Sequence, residues 1–568
     1  MSLQSGLYVG VSGLQTAQNA LNTVAHNLSN LGTEGYTRQQ IGLADKTYNT
    51  VSGTAAISIK QTGLGVTYSE VRQIRDVFLD QTYREESGRL SFYEVSYNAI
   101  GEIETILGEM NGAAFNTALS DLWSAVQEAS KDPSNSVIQG LIVQRASTFL
   151  DNATAVYDSL CNYQDNLNLQ IKDNVATINE YASKIHELNM KIAQIEVGGQ
   201  EHANDLRDER NYYLDELSEL GNISYSEDLF GNVTVKLEGV DLVTKDTAYE
   251  IGLYTDDITG FHTPYWTQNA KYGTDAYGNE TIDITGAEVF NFDQPISSDL
   301  DTDIGGLKAL ILARGDHRAN YTDLLDAESY EANIADSVMM NVMAEFDNLV
   351  HNVVTVMNSI LAESSDPSSG YLCNDDGSPM QLFQKITTDG YVAKTDDAGN
   401  IQYDSDGNII WEYMEEQDGT DGKHVDTTTL YSISNLKINQ ELLQSPAKLG
   451  FVKEDGTVDY ETMEKMKDAF DEAAYNLNPS VVKYSNFSDY YSDLVSQVGN
   501  SGSVYKSLYE NQEITVESTE AARQAIVGVS SDEELSQMIR FQNAYNAASR
   551  YINVIDEMLE HLVSTLGA

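Results

Sequence analysis

The sequence predicts a mainly α protein with inserted β domains. It reads as a discontinuous, multi-domain chain: terminal helices forming a coiled-coil inner domain, a long-helix bundle, and central β-rich domains. Three observations carry this reading. Apolar residues recur at alternating three- and four-residue steps at both termini, the mark of helices packed along a seam. The same spacing is sustained longest between Ser136 and Val197. From Asn222 the period changes to two, and Gly-Asn pairs precede alternating residues, which is a hairpin signal.

The first helix is free of Lys, Arg, Asp and Glu from Met1 to Thr33. Leu7, Leu14, Leu21 and Leu28 form one heptad series; Leu3, Gly10, Ala17, Val24 and Leu31 form the other. The flanks are Gln, Asn, Ser and Thr, which suits a helix surrounded by copies of itself better than one facing water. A polar, turn-rich stretch follows, then an extended segment from Val66 to Val71 and a helix start at Ile74–Leu79. Residues 77–220 read as helical, apart from a loop at Met110-Asn111-Gly112 and a break at Asp132-Pro133, where the proline fits a first helical turn. In the long helix Tyr157, Ile171, Ile178, Ile185 and Ile192 interleave with Leu160, Leu167, Leu188 and Ile195, with Gln164 and Asn174 as polar members. At the usual rise such a helix runs roughly 90 Å, a rod and not a compact globule.

Val233, Val235 and Leu237 alternate after Phe230-Gly231-Asn232, and Ile282 and Ile284 after Tyr277-Gly278-Asn279, so 222–303 is expected to be a β-rich inserted domain. Gly305-Gly306 begins a return to helix, expected to continue through Met339 to Leu361. A second, hairpin-rich insertion is expected at 366–430, where Ala398-Gly399-Asn400-Ile401 and Asp406-Gly407-Asn408-Ile409 repeat. A last bundle helix runs from about Asn486 to Gly528. Ser530 and Glu533 then have the spacing of a capping box. In the closing helix Met538, Tyr545, Ile552, Leu559 and Leu566 form one series and Phe541, Ala548, Ile555 and Leu562 the other. The expected domains are thus 1–36 with 529–568; 37–221 with 304–365 and 431–528; 222–303; and 366–430. The assembly interface is placed at Leu7, Leu14, Leu21, Leu28, Tyr545, Ile552, Ile555, Leu559 and Leu562.

The 568 residues carry 88 acids against 33 bases, a formal net charge of −55, so a nucleic-acid partner is not expected. A self-assembling protein of this charge must keep its acids outside and its packing seams neutral. No Sec-type signal and no 18-residue apolar run is present, so no membrane insertion is expected. Cys161 and Cys373 make no disulfide framework. No catalytic, cofactor or metal site is expected. The eight histidines show no i,i+4 pair, and Asp404-Ser405-Asp406-Gly407-Asn408 departs from a calcium loop at Ile409, where glycine is required, although Glu415 falls at the twelfth position. A hairpin turn is the better reading there.

Ser12-Gly13-Leu14, Ala20-Leu21-Asn22-Thr23, His26-Asn27-Leu28-Ser29-Asn30 and Gly35-Tyr36-Thr37-Arg38-Gln39 stand at one end, and Phe541-Gln542, Ala544-Tyr545 and Asp556-Glu557-Met558-Leu559 at the other. In these residues both ends resemble bacterial flagellar axial proteins. Asn27, Asn30, Gly35, Tyr36, Arg38, Phe541 and Gln542 are the family-motif residues. Tyr36-Thr37-Arg38-Gln39 and Asn204-Asp205-Leu206-Arg207-Asp208-Glu209-Arg210 resemble the hook-associated, hook-filament junction branch. The resemblance implies a structural subunit joining hook to filament, self-assembling through its terminal helices and exported through the flagellar type III apparatus without signal cleavage. It implies as partners the subunit itself, the hook protein, the second hook-associated junction protein and a cytosolic export chaperone. The alternatives are a hook or distal-rod axial protein or, from a different class, a secreted glycan-binding adhesin or enzyme with its activity in the central insertions.

Overall fold

The computed structural model describes residues 3–566 except 47–48, 53–59, 109–114, 199–200, 275–279, 293, 397–399, 406 and 415–425. The expected loop at Met110-Asn111-Gly112, the turn at Tyr277-Gly278-Asn279, Ala398-Gly399 of the repeat, Asp406 and Glu415 lie outside the described residues. The described helices are α1 (Leu3–Ser29), α2 (Val77–Leu107), α3 (Phe115–Lys131), α4 (Ser136–Glu196), α5 (Asn204–Leu220), α6 (Gly306–Arg314), α7 (Ala327–Asn333), α8 (Val338–Ser364), α9 (Gln440–Gln444), α10 (Tyr460–Asp471), α11 (Phe487–Val527) and α12 (Ser531–Leu566). The fold is mainly α with small separate antiparallel sheets, as the periodicities predict.

Helix α4 is the spine. Asn135 caps it by accepting from the Val137 amide, and its 61 residues extend about 90 Å at 1.5 Å per residue. Leu160, Leu167, Ile171, Ile178, Ile185, Leu188 and Ile192 are buried along one stripe, while Ile195, expected in that stripe, is 46% exposed at the helix end. Two cores share this helix. Near its start Phe149 and Leu150 pack with Phe115, Met343, Phe346 and Tyr491. Further along, Ile178 and Ile185 pack with Leu214, Val235, Trp266 and Leu310.

Among the described residues the 222–303 excursion is therefore built onto α4 and shares its core with that helix. Strands Ile223–Glu227, Val233–Leu237 and Val240–Val243 form an antiparallel sheet in chain order; Ile251–Thr255 pairs with His262–Trp266. Asparagines on α4 hold the strand edges. The Asn189 amide donates to Val233 O (2.8 Å) and accepts from Val233 N (3.1 Å); Asn179 does the same to Ile251 (2.9 Å each way). Asn358 on α8 grips Phe383 in the second excursion in like manner (2.7 and 3.1 Å).

The Gly-Asn turns at Gly231-Asn232 and Gly407-Asn408 form as expected, and the structure supplies their mechanism. Asp228 accepts from the Asn232 backbone amide (2.9 Å) and side chain (3.0 Å), and Gly231 between them has φ +82°. Asp404 does the same with Asn408 (2.8 and 3.2 Å) beneath the Tyr403–Ile409 bridge, so this stretch is a hairpin turn.

Three expectations are corrected. The helix expected from Gly306 through Met339 to Leu361 is three helices, α6, α7 and α8. At Gly315 the backbone has φ +77° and the Met340 sulfur fills the space a side chain would need, so the chain turns away. Pro133 precedes α4 in a turn and is not in its first turn; its carbonyl accepts from the Gln139 side chain (2.8 Å). The second excursion does not close at 430, because Leu436–Ile438 pairs with Phe383–Lys385, and 431–486 is mostly irregular with only the short helices α9 and α10.

Candidate assembly site

The termini meet. Helices α1 and α12 pack together, and the approach is close because α1 presents glycine: a side chain at Gly6 would touch Ile555 and Tyr551, one at Gly10 would collide with Ile552, and Gly13 faces Ala548. The buried positions of α1 are Gly6, Gly10, Ser12, Thr16, Ala17, Ala20, Val24 and Asn27. Leu7, Leu14, Leu21 and Leu28, the expected seam, are only half-buried within one chain. On α12, Ile552 (half-buried) and Ile555 (buried) lie against Gly10 and Gly6 of α1 inside the chain. Tyr545 and Leu559 are half-buried, and Leu562 is 43% exposed. The structure also shows a stripe the heptad reading missed: Tyr551, Val554 and Met558, at three- and four-residue steps, are 43%, 47% and 51% exposed. The signal was in the sequence, but the stronger 552/555/559 series hid it.

Five of the family-motif residues, Asn27, Asn30, Gly35, Tyr36 and Arg38, converge where this pair joins the body. Asn30 closes α1 by donating to His26 O (3.0 Å), and Gly35, at φ +72°, lies against Tyr212 of α5. The buried Asn27 side chain donates to Gln39 O (2.9 Å) and accepts from Gln39 N (3.0 Å) and Tyr36 OH (2.8 Å). Thr37 N donates to Asp208 (3.2 Å), which also accepts from Gln73 (2.6 Å); Gln39 donates to Asp205 (3.0 Å). Burial pushes the Asp208 carboxyl up to about 6 against those hydrogen bonds. Burial and the nearby Asp208, Asp205 and Glu534 carboxylates hold the Tyr36 phenol well above its usual range.

Arg38 is the cross-link to the other terminus. Its amide donates to Val527 O (2.9 Å), and its guanidinium pairs with Glu533 (2.8 Å) and the buried Glu534 (2.9 Å) at the start of α12. The expected capping box is accordingly half formed: Ser530 accepts from Glu533 N at 3.5 Å, but the Glu533 carboxylate goes to Arg38. Above the hub, Arg523 of α11 pairs with Asp80 of α2 (3.0 Å) and with Asp215 of α5; Asp215 also holds Arg84 (2.6 Å) and Asp80 holds Arg75 (2.9 Å). Burial would raise the Asp80 carboxyl, but Arg75 and Arg523 outweigh it and hold it below the usual range. Phe541 is half-buried and Gln542 exposed; neither is drawn into the hub.

Among the described residues no group of three or more His, Cys, Asp or Glu is placed to hold a metal ion, and no helix is long and apolar enough to cross a membrane. The buried carboxylates have local tasks. Asp347 accepts from Tyr321 N (3.0 Å) and Ile433 N (2.7 Å), pinning two loops to α8, and Glu345 accepts from Asn478 (2.6 Å) and Gln497 (3.0 Å).

Comparison with known proteins places the chain in the same frame. The model of the flagellar hook-associated protein FlgK helical domain matches residues 100–369, that of the flagella basal body rod protein matches 7–37, and that of the flagellar basal body rod FlgEFG protein C-terminal region matches 524–565. Flagellar hook-associated protein 1 of Bacillus subtilis is 24% identical over 99% of this chain and 98% of its own length. Its counterpart in Salmonella typhimurium is 24% identical over 98% of each. The solved flagellar hook junction protein FlgK of Burkholderia pseudomallei shares the fold at a TM-score of 0.51 and 12% identity, covering 78% of this chain and all of that one. Relatives of one description align with the chain from end to end, and rod-type models match the two helices that meet in the hub, so the chain is similar along its whole length to flagellar hook-associated protein 1.

Proposed function

We propose that this chain, a structural component of the flagellum at the hook-filament junction, works as a mechanical coupler. Copies pack through the α1–α12 pair, and the hub transmits load from that pair to the helical body. The supporting observation is the uncharged α1 with its leucines half-buried, beside the exposed Tyr551, Val554 and Met558 stripe on α12. In a chain of net charge −55 these are neutral surfaces on helices with room for further partners. On this reading the partners are further copies, the hook protein below and the second junction protein above. A cytosolic chaperone shields α12 before export, and the assembled protein is extracellular. The work done is mechanical and not enzymatic. An adhesin or enzyme would need its site in the central excursions, and these share their cores with the helical body.

The test places charge on side chains that face water in the monomer. In Val554→Asp and Leu562→Asp the new carboxylate is harmless in solution, but in a packed interface it costs on the order of several kcal/mol. Each variant is expected to give a monomer of unchanged melting temperature. Cells carrying it are expected to build hooks without filaments and to release flagellin. Normal filaments on the doubly substituted background would remove the assembly reading.

A further inference from the structure

The second half of α11 is held without an apolar core. Before Gly502 its buried side chains are Phe487, Tyr490, Tyr491, Leu494 and Val498, all seated in the core at the start of α4. Between Gly502 and Val527 the buried side chains are Gln512 and Arg523. The facing part of α2 is polar too: Asp80, Arg84, Ser87 and Arg89 are buried there, and buried apolar residues begin at Phe92. Interlocking apolar side chains are what usually fix one helix along another. This seam instead consists of Tyr509 stacked on Tyr97 (5.9 Å between ring centres), Gln512 donating to the Glu86 carboxylate (2.6 Å), and Arg523.

Arg523 ties three helices at one point. Its Nε donates to Asp80 of α2 (3.0 Å), a second arm of the guanidinium donates to Asp215 of α5, and the group lies 4.5 Å from the Tyr83 ring centre. A planar fork that must meet two carboxylates on two helices fixes a direction as well as a distance. A slip of α11 by one turn, about 5.4 Å, carries it off both. Each aspartate also has an arginine of its own, Arg75 on Asp80 (2.9 Å) and Arg84 on Asp215 (2.6 Å). Removal of Arg523 therefore leaves no bare buried charge, which is the main cost of breaking a buried pair. What goes is the tie to α11. One turn further along the same face lies Val527, whose carbonyl accepts from Arg38 N (2.9 Å), and the Arg38 guanidinium in turn holds Glu533 and Glu534 at the start of α12. We propose that Arg523 is a positioning residue: it pins α11 in one register against α2 and α5, and so delivers Val527 and the start of α12 to Arg38. Its bearing on load transfer rests on the coupler reading above, whereas the pin is a property of a single chain.

The monomer tests it. Nitroxide labels at Ser183→Cys on α4 and Ser518→Cys on α11, both exposed positions, report where the second half of α11 lies in a chain that also carries Cys161→Ser and Cys373→Ser. The Arg523→Met variant is expected to keep a nearly unchanged melting temperature and to show a second distance, displaced by about 5 Å, one helical turn. Hydrogen exchange of the peptide over 37–40, which holds the Arg38 amide, should speed up about tenfold or more, while the peptide over 487–498 stays protected. An unchanged distance would overturn the pin, because another contact would then be setting the register. Equal acceleration in both peptides would overturn it too, since Arg523 would then serve general stability. If Arg523→Met does not fold, Arg523→Lys decides: its ammonium keeps the charge but lacks the fork that spans two helices, and the native distance in that variant counts against the pin. The coupler reading is judged separately, on the filaments of the Val554→Asp and Leu562→Asp cells.

Discussion

At the scale of single residues the chain relies on charge and amide groups held where water is excluded. Arg38 was legible as part of a motif, but its task was not, because Glu533 and Glu534 lie almost five hundred residues away in sequence. The buried carboxylates were not legible at all. Burial pushes Glu345 and Asp347 up to about 7 against the hydrogen bonds they accept. Since a free carboxyl titrates near about 4, the folded state binds these protons more tightly than the unfolded chain does. Folding therefore takes up protons between about 4 and about 7, and that contribution is present at low pH and lost as pH rises through about 7. The buried His351, lowered to about 4 by burial, acts oppositely, but only below its usual value of about 6.5. The melting temperature should thus rise as pH is lowered from 8 to 6.5, and Glu345→Gln should flatten that slope. A slope unchanged in the variant would show that Glu345 does not titrate there.

At the scale of elements one device recurs: a helix asparagine grips both backbone groups of a single strand residue. Asn27 does so to Gln39, Asn179 to Ile251, Asn189 to Val233 and Asn358 to Phe383. The asparagine stands in for a neighbouring strand, satisfying an edge that would otherwise lie unpaired against the helix. Sequence could not reveal this. Gln164 and Asn174 were the conspicuous polar members of the α4 seam; Gln164 is buried and donates to Arg314 O (2.8 Å), while Asn174 is half-buried. Asn179→Ala leaves an N–H and a C=O of Ile251 without their partner, and each such buried group costs about 1–3 kcal/mol. Denaturant unfolding should therefore show a loss of about 2–4 kcal/mol, against within about 0.5 kcal/mol for Asn174→Ala. Equal effects at the two positions would refute the clamp.

At the scale of the whole molecule the −55 charge opposes the assembly that the neutral termini favour. Repulsion between copies is long-ranged and screened by salt, whereas packing of apolar side chains is short-ranged and is not. The screening length falls from about 30 Å at 0.01 M to about 8 Å at 0.15 M ionic strength. Light scattering from concentrated protein should accordingly show association rising steeply over that range. The Leu562→Asp variant should stay monomeric throughout, because screening removes the repulsion without restoring the contact. Association that weakens as salt is added would mean that charge pairs, not the neutral helices, hold the copies together.

The sequence by itself determined the parts whose causes are local. Heptad spacing gave α4 its limits, the Asn486 and Gly528 signals bounded α11, and the Gly231-Asn232 and Gly407-Asn408 stretches closed their own turns, because caps, periods and turn chemistry act within a few residues. The motif residues Asn27, Asn30, Gly35, Tyr36 and Arg38 could be picked out, but not the hub they build. Only the tertiary structure decided that Asp205 and Asp208 meet Thr37 and Gln39, that glycines on α1 draw Ile552 and Ile555 into the chain, and that the β excursions lean on α4. Those outcomes depend on which distant surfaces come together. Spacing along the chain marks a face as apolar without saying which neighbour will cover it.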